Sequence, residues 1–288
     1  MRAAVVSDIS VRDIPGPIRN RYTRTSVYRC RVAKISFAEL TTLEVDALLG
    51  EDRTPVLLLP VGAVEPHGPH APLATDDLIA TGICRRAARA IEHDPDLRAL
   101  VLEPIPYGVT RYAAAFRGAV HVGQATLRAL VTDVVGSLVA DGFSRVVIVN
   151  HHFEPDHVLA LREAQATMRS EGGLVALLDL TRRRAAERLT EEFRSGSCHA
   201  GRYETSLVLA DRPELVNQDL MRALPELEVP MAAAIAQGRH DFLAMGMPDA
   251  YCGAPAQANE SEGEAIYATL AEMVVELARE LARESADD

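Results

Sequence analysis

Short apolar runs alternate with amphipathic stretches along most of the chain. A continuous apolar run at 55–62 is expected of a strand that is buried on both faces, and a β-branched run at 144–150 and the segment 174–180 predict two further strands. Apolar residues at three-and-four spacing predict a helix over 127–139, and further helices are predicted at 78–88 and 156–169. Strands that alternate with helices in this order are typical of an α/β fold, with a mainly parallel sheet flanked by helices on both faces.

Polar clusters directly follow two of the predicted strands. In parallel sheets, ligands bind at the carboxyl ends of the strands, so functional side chains are expected at these points. The clusters contain Glu65, His67, His70 and Asp76 after the first run, and Asn150, His151, His152, Glu154 and His157 after the second. A third polar cluster at 198–206, which includes His199 and Glu204, opens another predicted helix.

The residue types in these clusters indicate a metal site. The pairs Glu65-x-His67 and His152-x-Glu154 each place two side chains on the same side of an extended segment, and Asp76 adds a fifth candidate ligand. Mixed imidazole and carboxylate ligands suit zinc, manganese or iron(II), whereas calcium takes oxygen alone. Five ligands are more than one tetrahedral catalytic ion uses, so two divalent ions bridged by a carboxylate fit the count better.

Composition and charge exclude several classes of protein. The formal net charge of −11 over 288 residues argues against a partner that is a nucleic acid, and no apolar run approaches the length of about 20 residues that crosses a membrane. A cytoplasmic enzyme is therefore expected, with an N-terminal extension over 1–34 and one catalytic domain over 35–288. None of the four cysteines forms a Cys-x-x-Cys pair, and a nucleophilic role for Cys198 is the minor alternative to a buried thiol.

Several motifs resemble those of the creatininase (creatinine amidohydrolase) family. The segment 59–76, which reads LPVGAVEPHGPHAPLATD, is similar to the opening motif of that family, and four later blocks follow in the order that the family has. These blocks are Phe116-Arg-Gly118, Asn150 to Glu154, His199-Ala-Gly-Arg-Tyr-Glu204-Thr-Ser206, and Gly253 to Gly263. Chance agreement over blocks in the same order is not expected.

The resemblance implies a three-layer α/β sandwich, a binuclear metal centre, a hexameric assembly and hydrolysis of a C–N bond in an amide, cyclic amide or formamide. It implies that Glu65, Asp76 and His152 bind one ion, and that His67, Asp76 and Glu154 bind the other. It also implies that His199 transfers a proton to the leaving nitrogen. Glu154 or Glu204 would take the proton of the attacking water, and Glu204 either binds a metal directly or lies behind the ligands.

The chain departs from the family beside the expected substrate. His151 stands where the family usually has glycine, Pro155 where creatininases have asparagine, and there is no tryptophan, whereas creatininase closes its pocket with tryptophans. We therefore expect a small-molecule substrate other than creatinine. The candidate substrate contacts are Tyr112, His151, Phe153, Arg202 and Tyr203.

Two other functions stay open from the sequence alone. In the first alternative, the same metal pair would catalyse a different reaction, either the opening of an oxidised cyclic sugar or polyol or the cleavage of a peptide during cofactor maturation. The second alternative belongs to another class: a non-catalytic scaffold that retains the fold. Metal content distinguishes an enzyme from a scaffold, because a scaffold has no need of the ions.

Overall fold

The computed structural model describes residues 34–284 of the chain. The predicted N-terminal extension over 1–34 therefore lies, apart from Lys34, outside the described residues, as does Cys30. The three other cysteines, Cys84, Cys198 and Cys252, are free thiols.

A parallel sheet of four strands forms the centre of the described chain. The strands are β1 (Thr54–Val61), β2 (Leu97–Val101), β3 (Arg145–Asn150) and β4 (Leu174–Leu178), and they lie in the order β2-β1-β3-β4. The structure confirms the three predicted strands and adds β2, which the sequence patterns did not indicate. All four strands are almost wholly buried, which explains why they read as continuous apolar runs.

Ten α-helices connect and cover the strands within residues 34–284. They are α1 (Thr42–Leu48), α2 (Thr75–Ala90), α3 (Gln124–Ala140), α4 (Pro155–Ser170), α5 (Arg183–Ala186), α6 (Glu191–Ser195), α7 (Arg202–Asp211), α8 (Gln218–Ala223), α9 (Met231–Ala236) and α10 (Glu260–Arg283). Short 3-10 helices occur at Phe37–Glu39, Pro213–Leu215 and Pro255–Gln257. The helices predicted at 78–88, 127–139 and 156–169 correspond to α2, α3 and α4.

Two apolar cores pack against the two faces of the sheet and make three layers. On one face, α2, α7 and α10 pack on alternate strand residues such as Leu58 and Val147. On the other face, α3 and α4 pack on the intervening residues, such as Leu57 and Ile148. This alternation follows from the period of two along a strand, and it confirms the predicted three-layer α/β architecture.

The register of the two central strands brings two of the polar clusters together. Val61 at the end of β1 lies opposite Asn150 at the end of β3, and the backbone N–H of His151 donates to the carbonyl of Val61 over 3.1 Å. Gly62 follows β1 directly, and a Cβ at this position would lie 2.5 Å from the backbone nitrogen of Asp77. Glycine therefore allows the first turn of α2 to approach the end of β1 closely.

A smaller apolar cluster lies beside this edge of the sheet. It joins the loop around Tyr112 to residues of the 229–252 segment, including Phe242 and Met247. Within the described residues, none of the helices combines the length and the apolar character that crossing a lipid bilayer requires.

Candidate metal centre

One group of three side chains joins the ends of β1 and β3 to the start of α2. His152 Nδ1 lies 3.0 Å from Asp76 Oδ2 and 3.3 Å from Glu65 Oε1. All three residues are buried, and their ligand atoms lie close enough together to surround one metal ion. We call Glu65, Asp76 and His152 the first group.

A second group uses the other oxygen of the same aspartate. His67 Nε2 lies 3.2 Å from Asp76 Oδ1 and 3.6 Å from Glu204 Oε2. Glu204 lies in the first turn of α7, and its Oε2 accepts a hydrogen bond of 2.7 Å from the backbone N–H of Ala200. Asp76 therefore faces both groups, with one oxygen towards each. We call His67, Asp76 and Glu204 the second group.

His199 stands next to both groups. Its ring packs 4.5 Å from the ring of His67, centroid to centroid, and its Nδ1 lies 3.8 Å from Glu65 Oε1. Glu65, His67 and His199 form a third set of side chains with ligand atoms close together. Ala200, the next residue, has a left-handed φ of 51°, which is an uncommon conformation for alanine and often marks a functional site.

Backbone carbonyls orient three of the imidazole rings. One ring nitrogen of each lies near a carbonyl oxygen: His67 Nδ1 is 3.0 Å from that of Glu65, His152 Nε2 is 2.7 Å from that of Val109, and His199 Nε2 is 3.1 Å from that of Pro66. A carbonyl only accepts, so these nitrogens are the donors. When these rings are neutral, the other nitrogen of each turns a lone pair towards the acidic side chains, as metal-binding histidines do.

The polar atoms of the two groups are arranged to bind a cation rather than to form hydrogen bonds with one another. Glu65 Oε2, His67 Nε2 and Asp76 Oδ2 are buried and lack a hydrogen-bond partner among the described residues. A buried polar atom without a partner costs about 1–3 kcal/mol, so such atoms are rare unless something else binds them. Imidazole and carboxylate donors of this kind fit divalent ions such as zinc or manganese.

Burial and neighbouring charges shift the pKa values of the histidines in opposite directions. Burial alone would lower the pKa of His67, but the close negative charges of Asp76 and Glu204 raise it to about 10. Burial and the charge of His67 lower the pKa of His199 to about 4. In the absence of a cation, His67 thus carries the proton that balances the carboxylates, whereas His199 stays neutral.

Glu154 lies beside the two groups but belongs to neither. It immediately precedes α4, which starts at Pro155, and its Oε2 accepts a hydrogen bond of 3.1 Å from the backbone N–H of Tyr112. Burial raises the pKa of its carboxyl to about 7. The role of Glu154 as a ligand, which the resemblance implied, stays a prediction; the carboxylate that lies 3.6 Å from His67 Nε2 is that of Glu204, whose pKa burial raises to about 8.

A cavity of about 490 Å³ opens over the groups. Of the predicted substrate contacts, Tyr112, His151 and Phe153 line it, and so does Glu154. Arg202 and Tyr203 do not: Arg202 pairs with Glu262 of α10, and Tyr203 is fully buried in the core. They are the first residues of α7, and the turn of the helix directs them away from the cavity while Glu204 faces it.

The thiol of Cys198 also lines the cavity. Burial and the charge of Glu204 raise its pKa well above the ordinary value. A nucleophilic cysteine requires a lowered pKa, so this environment argues against such a role.

Two residues at this site were not singled out from the sequence. The carboxylate of Glu192 accepts backbone hydrogen bonds from Arg202, Tyr203 and Ala254 at 2.6–3.0 Å, and thus joins the start of α7 to the 250–255 loop. The ring of Phe242 packs 4.5 Å from the ring of His199 and lines the cavity. Neither residue lies in a recognisable motif, because each acts through a contact that is distant in sequence.

Comparison with known proteins gives consistent matches over most of the chain. The family model described as creatinine amidohydrolase matches residues 38–278. A mycofactocin precursor peptide peptidase of Mycobacterium ulcerans (strain Agy99) is 33% identical over 234 residues, which cover 80% of this chain and 85% of the relative. A creatinine amidohydrolase of Pseudomonas putida is 33% identical over 197 residues, which cover 63% of this chain and 73% of the relative.

A solved structure titled "Creatininase Mn" has the same fold. It superposes with a TM-score of 0.65 at 26% identity and covers 88% of this chain and 100% of its own. The fold, the order of the motifs and the matched family model agree with the predicted resemblance. The chain belongs to the creatinine amidohydrolase (creatininase) family of hydrolases.

Proposed function

We propose that this protein hydrolyses a C–N amide bond with the help of two divalent cations bound by the first and second groups. The observation that carries the proposal is the convergence of buried carboxylate and imidazole atoms without hydrogen-bond partners at the base of a cavity. A scaffold protein would have no use for such an arrangement, since each unpartnered atom destabilises the fold. Zinc, manganese and iron(II) are the ions that these donors favour.

In this proposal Glu65, Asp76 and His152 hold one cation, and His67, Asp76 and Glu204 hold the other. The assignment gives the second position to Glu204 and leaves Glu154 free, because Glu204 Oε2 lies 3.6 Å from His67 Nε2. Two cations at this site would supply polarisation of the amide carbonyl and acidification of a water.

Glu154 and His199 are suited to moving the protons of the reaction. The carboxyl of Glu154 lines the cavity and is oriented by the backbone N–H of Tyr112, so it can accept the proton of the attacking water. His199 donates from Nε2 to the carbonyl of Pro66, which leaves a lone pair on Nδ1; Nδ1 can take up a proton released from the attacking water and pass it to the leaving nitrogen.

The cavity favours a substrate with apolar groups next to the amide. Its walls include Phe153, Phe193, Phe242, Met231 and Ile235. A volume of about 490 Å³ lies within the range for ligands larger than one small ring, which is about 300–1,000 Å³. We therefore propose a peptide bond flanked by apolar side chains as the first substrate class, in line with the peptidase named among the relatives. Small cyclic amides are the second substrate class that we propose.

Metal content and a substitution at the shared ligand test the metal centre. Asp76→Ala should lose both cations and all activity while the protein stays folded, because Asp76 faces both groups. Asp77→Ala is the matched control, since Asp77 is the next residue of α2 and belongs to neither group. Full metal content in Asp76→Ala, measured by plasma mass spectrometry, would refute the assignment.

A substrate panel tests the reaction. Chelator-treated protein, reloaded with zinc or manganese, should cleave peptides that carry apolar residues faster than lactams, formamides or sugar lactones. Product masses show whether a C–N bond has been broken with the addition of water. If the loaded enzyme acts on the lactones alone, the proposed reaction class is wrong.

We also propose that the chain forms a homo-oligomer, with six subunits as the resemblance implies. Leucines such as Leu43, Leu49, Leu130 and Leu243 are exposed on the isolated chain and would provide apolar surface for contacts between subunits. Native mass spectrometry measures the number of subunits directly, and a purely monomeric protein would contradict this proposal.

A further inference from the structure

His151 is a fully buried histidine that the assignment above does not use. It follows β3 directly, and its exposed fraction is 0%. Its Nδ1 is among the buried polar atoms that have no hydrogen-bond partner in the described part of the chain. That nitrogen faces the second group, at 3.8 Å from Glu204 Oε1 and 4.0 Å from Asp76 Oδ1.

The other ring nitrogen of His151 has a partner of the kind that a metal-binding histidine needs. Nε2 lies 3.2 Å from the hydroxyl oxygen of Tyr203, which is itself fully buried. When Nε2–H donates to this oxygen, Nδ1 is left with a lone pair directed at the acidic side chains. His67, His152 and His199 show the same division between an anchored nitrogen and a nitrogen that faces the carboxylates.

From this geometry we infer that His151 binds the cation of the second group through Nδ1, as a fourth ligand beside His67, Asp76 and Glu204. The inference rests on the proposed metal centre and assigns it an additional ligand. Glycine is the usual residue at this position in the motifs that the chain resembles, so the ligand would be an addition to that pattern in this protein. Two imidazoles and two carboxylates would favour zinc, cobalt or iron(II) over magnesium at this site.

A different role for His151 gives different results. If Nδ1 instead carries the proton and donates to Asp76 or Glu204, His151 only positions these carboxylates. Glutamine in its place would keep an N–H donor but not an imidazole nitrogen. His151→Gln therefore separates the two roles, and His93→Gln, at an exposed position, is the matched control.

The affinity of each site is measured by calorimetric titration of the metal-free protein with zinc. Wild type should bind two ions, and His151→Gln should bind one ion unchanged and the other roughly 100-fold more weakly, since loss of a group that merely orients a ligand already costs about 10- to 100-fold. Tyr203→Phe keeps the imidazole and removes its anchor, so it should weaken the same ion by about 10-fold. His93→Gln should match wild type.

Cadmium-113 resonance gives a second measurement that does not depend on activity. Protein loaded with two cadmium ions should show two signals. His151→Gln should change the chemical shift of only one of them, in the direction expected when a nitrogen ligand is lost. If His151→Gln does not fold, His151→Gly with added imidazole is the alternative, and imidazole should restore the weakened site.

The outcomes separate this inference from the proposed function. Wild-type protein that binds no divalent ion would refute the metal centre as a whole. Wild-type protein that binds two ions, with unchanged affinities and unchanged cadmium signals in His151→Gln, would overturn only the role of His151. Failure of imidazole to restore the second site of His151→Gly would count against that role as well.

Discussion

At the scale of single residues, the site depends on which nitrogen of each imidazole ring is already held by a hydrogen bond to the backbone. His67 Nε2 and His152 Nδ1 lie 3.0–3.3 Å from carboxylate oxygens, and His67 Nε2 has no hydrogen-bond partner among the described residues. Their other nitrogens are held by carbonyls. This orientation positions the side chains around common points, as expected for ligands of a cation.

Glu154 provides a prediction at this scale. Glu154→Gln cannot accept a proton, so the turnover number should fall by about 10²–10⁴-fold, the usual contribution of a general base. The metal content should stay at the wild-type value, because Glu154 belongs to neither group. Steady-state kinetics and metal analysis of the same preparation measure both quantities.

Glu163→Gln is the control for this substitution, because Glu163 lies on the same helix, forms an ion pair with Arg128 and is not among the residues that line the cavity. It should leave the turnover number unchanged. Loss of one metal ion in Glu154→Gln would instead support the role in ligation that the resemblance implied.

At the scale of elements, the start of α7 is held by a side chain from α6. Glu192 accepts backbone hydrogen bonds from the first two residues of α7 and from Ala254. Carboxylates at this end of a helix also interact favourably with the helix dipole. Because Glu204 lies on the same first turn, Glu192 contributes to the position of a proposed ligand.

Replacement of this carboxylate should destabilise the protein. Glu192→Gln keeps the shape but has a single oxygen to accept, so one or more buried N–H groups lose their partner, and the free energy of unfolding should fall by about 1–3 kcal/mol. Thermal unfolding of the metal-free protein measures the change. Glu187→Gln, an exposed position that pairs with Arg183, should have little effect, and an equal effect in both variants would contradict this role.

A second prediction at this scale concerns the link between α4 and the end of β4. Burial alone would raise the pKa of Asp179, but hydrogen bonds from Thr181 and Arg162 and the charge of Arg162 lower it. A pKa that is lower in the folded state stabilises the protein above the ordinary value of about 3.9, and this stabilisation is lost as the pH falls.

Asp179→Asn should therefore lower the free energy of unfolding at pH 7 by up to about 1 kcal/mol, because the ion pair is partly exposed to solvent. The difference from wild type should shrink as the pH falls below about 4. Urea unfolding at several pH values measures it. Asp133→Asn, on the exposed side of α3, is the control, and a difference for Asp179→Asn that did not change with pH would refute the prediction.

At the scale of the whole molecule, the candidate metal centre concentrates negative charge at one buried point. Glu65, Asp76 and Glu204 are almost fully buried there, and their mutual repulsion is offset in the metal-free state by protons on His67 and His152. Cations that bind the folded chain but not the unfolded chain stabilise it by mass action. The free energy of unfolding should therefore increase when divalent ions bind.

Removal of the ions tests this dependence. Chelator-treated protein should unfold at a lower temperature than protein with zinc or manganese at about 100 times the dissociation constant, where each site adds about 2.7 kcal/mol. For a chain of this size each kcal/mol shifts the midpoint by about 2–4 °C. Asp76→Ala should show no such shift, and an equal shift in both proteins would indicate that the ions bind elsewhere.

Much of the architecture could be predicted from local sequence. Strands β1, β3 and β4 were predicted because a strand buried on both faces is a continuous apolar run, and α3 because its buried face recurs at helical spacing. Strand β2 was missed, since LRALV is short and contains a charged residue. Helix α10 was also missed, although Ile266, Leu270, Val274 and Leu281 mark a buried stripe at helical spacing.

The sequence by itself determined which kinds of side chain stand at the ends of the strands, because strand ends and polar clusters are local features. Only the tertiary structure decided which of them meet. The packing of α7 against α2 and α10 brings Glu204 to His67 and turns Arg202 and Tyr203 away, while the start of α4 keeps Glu154 beside the groups. These choices depend on how helices distant in sequence pack together, and no local pattern carries that information.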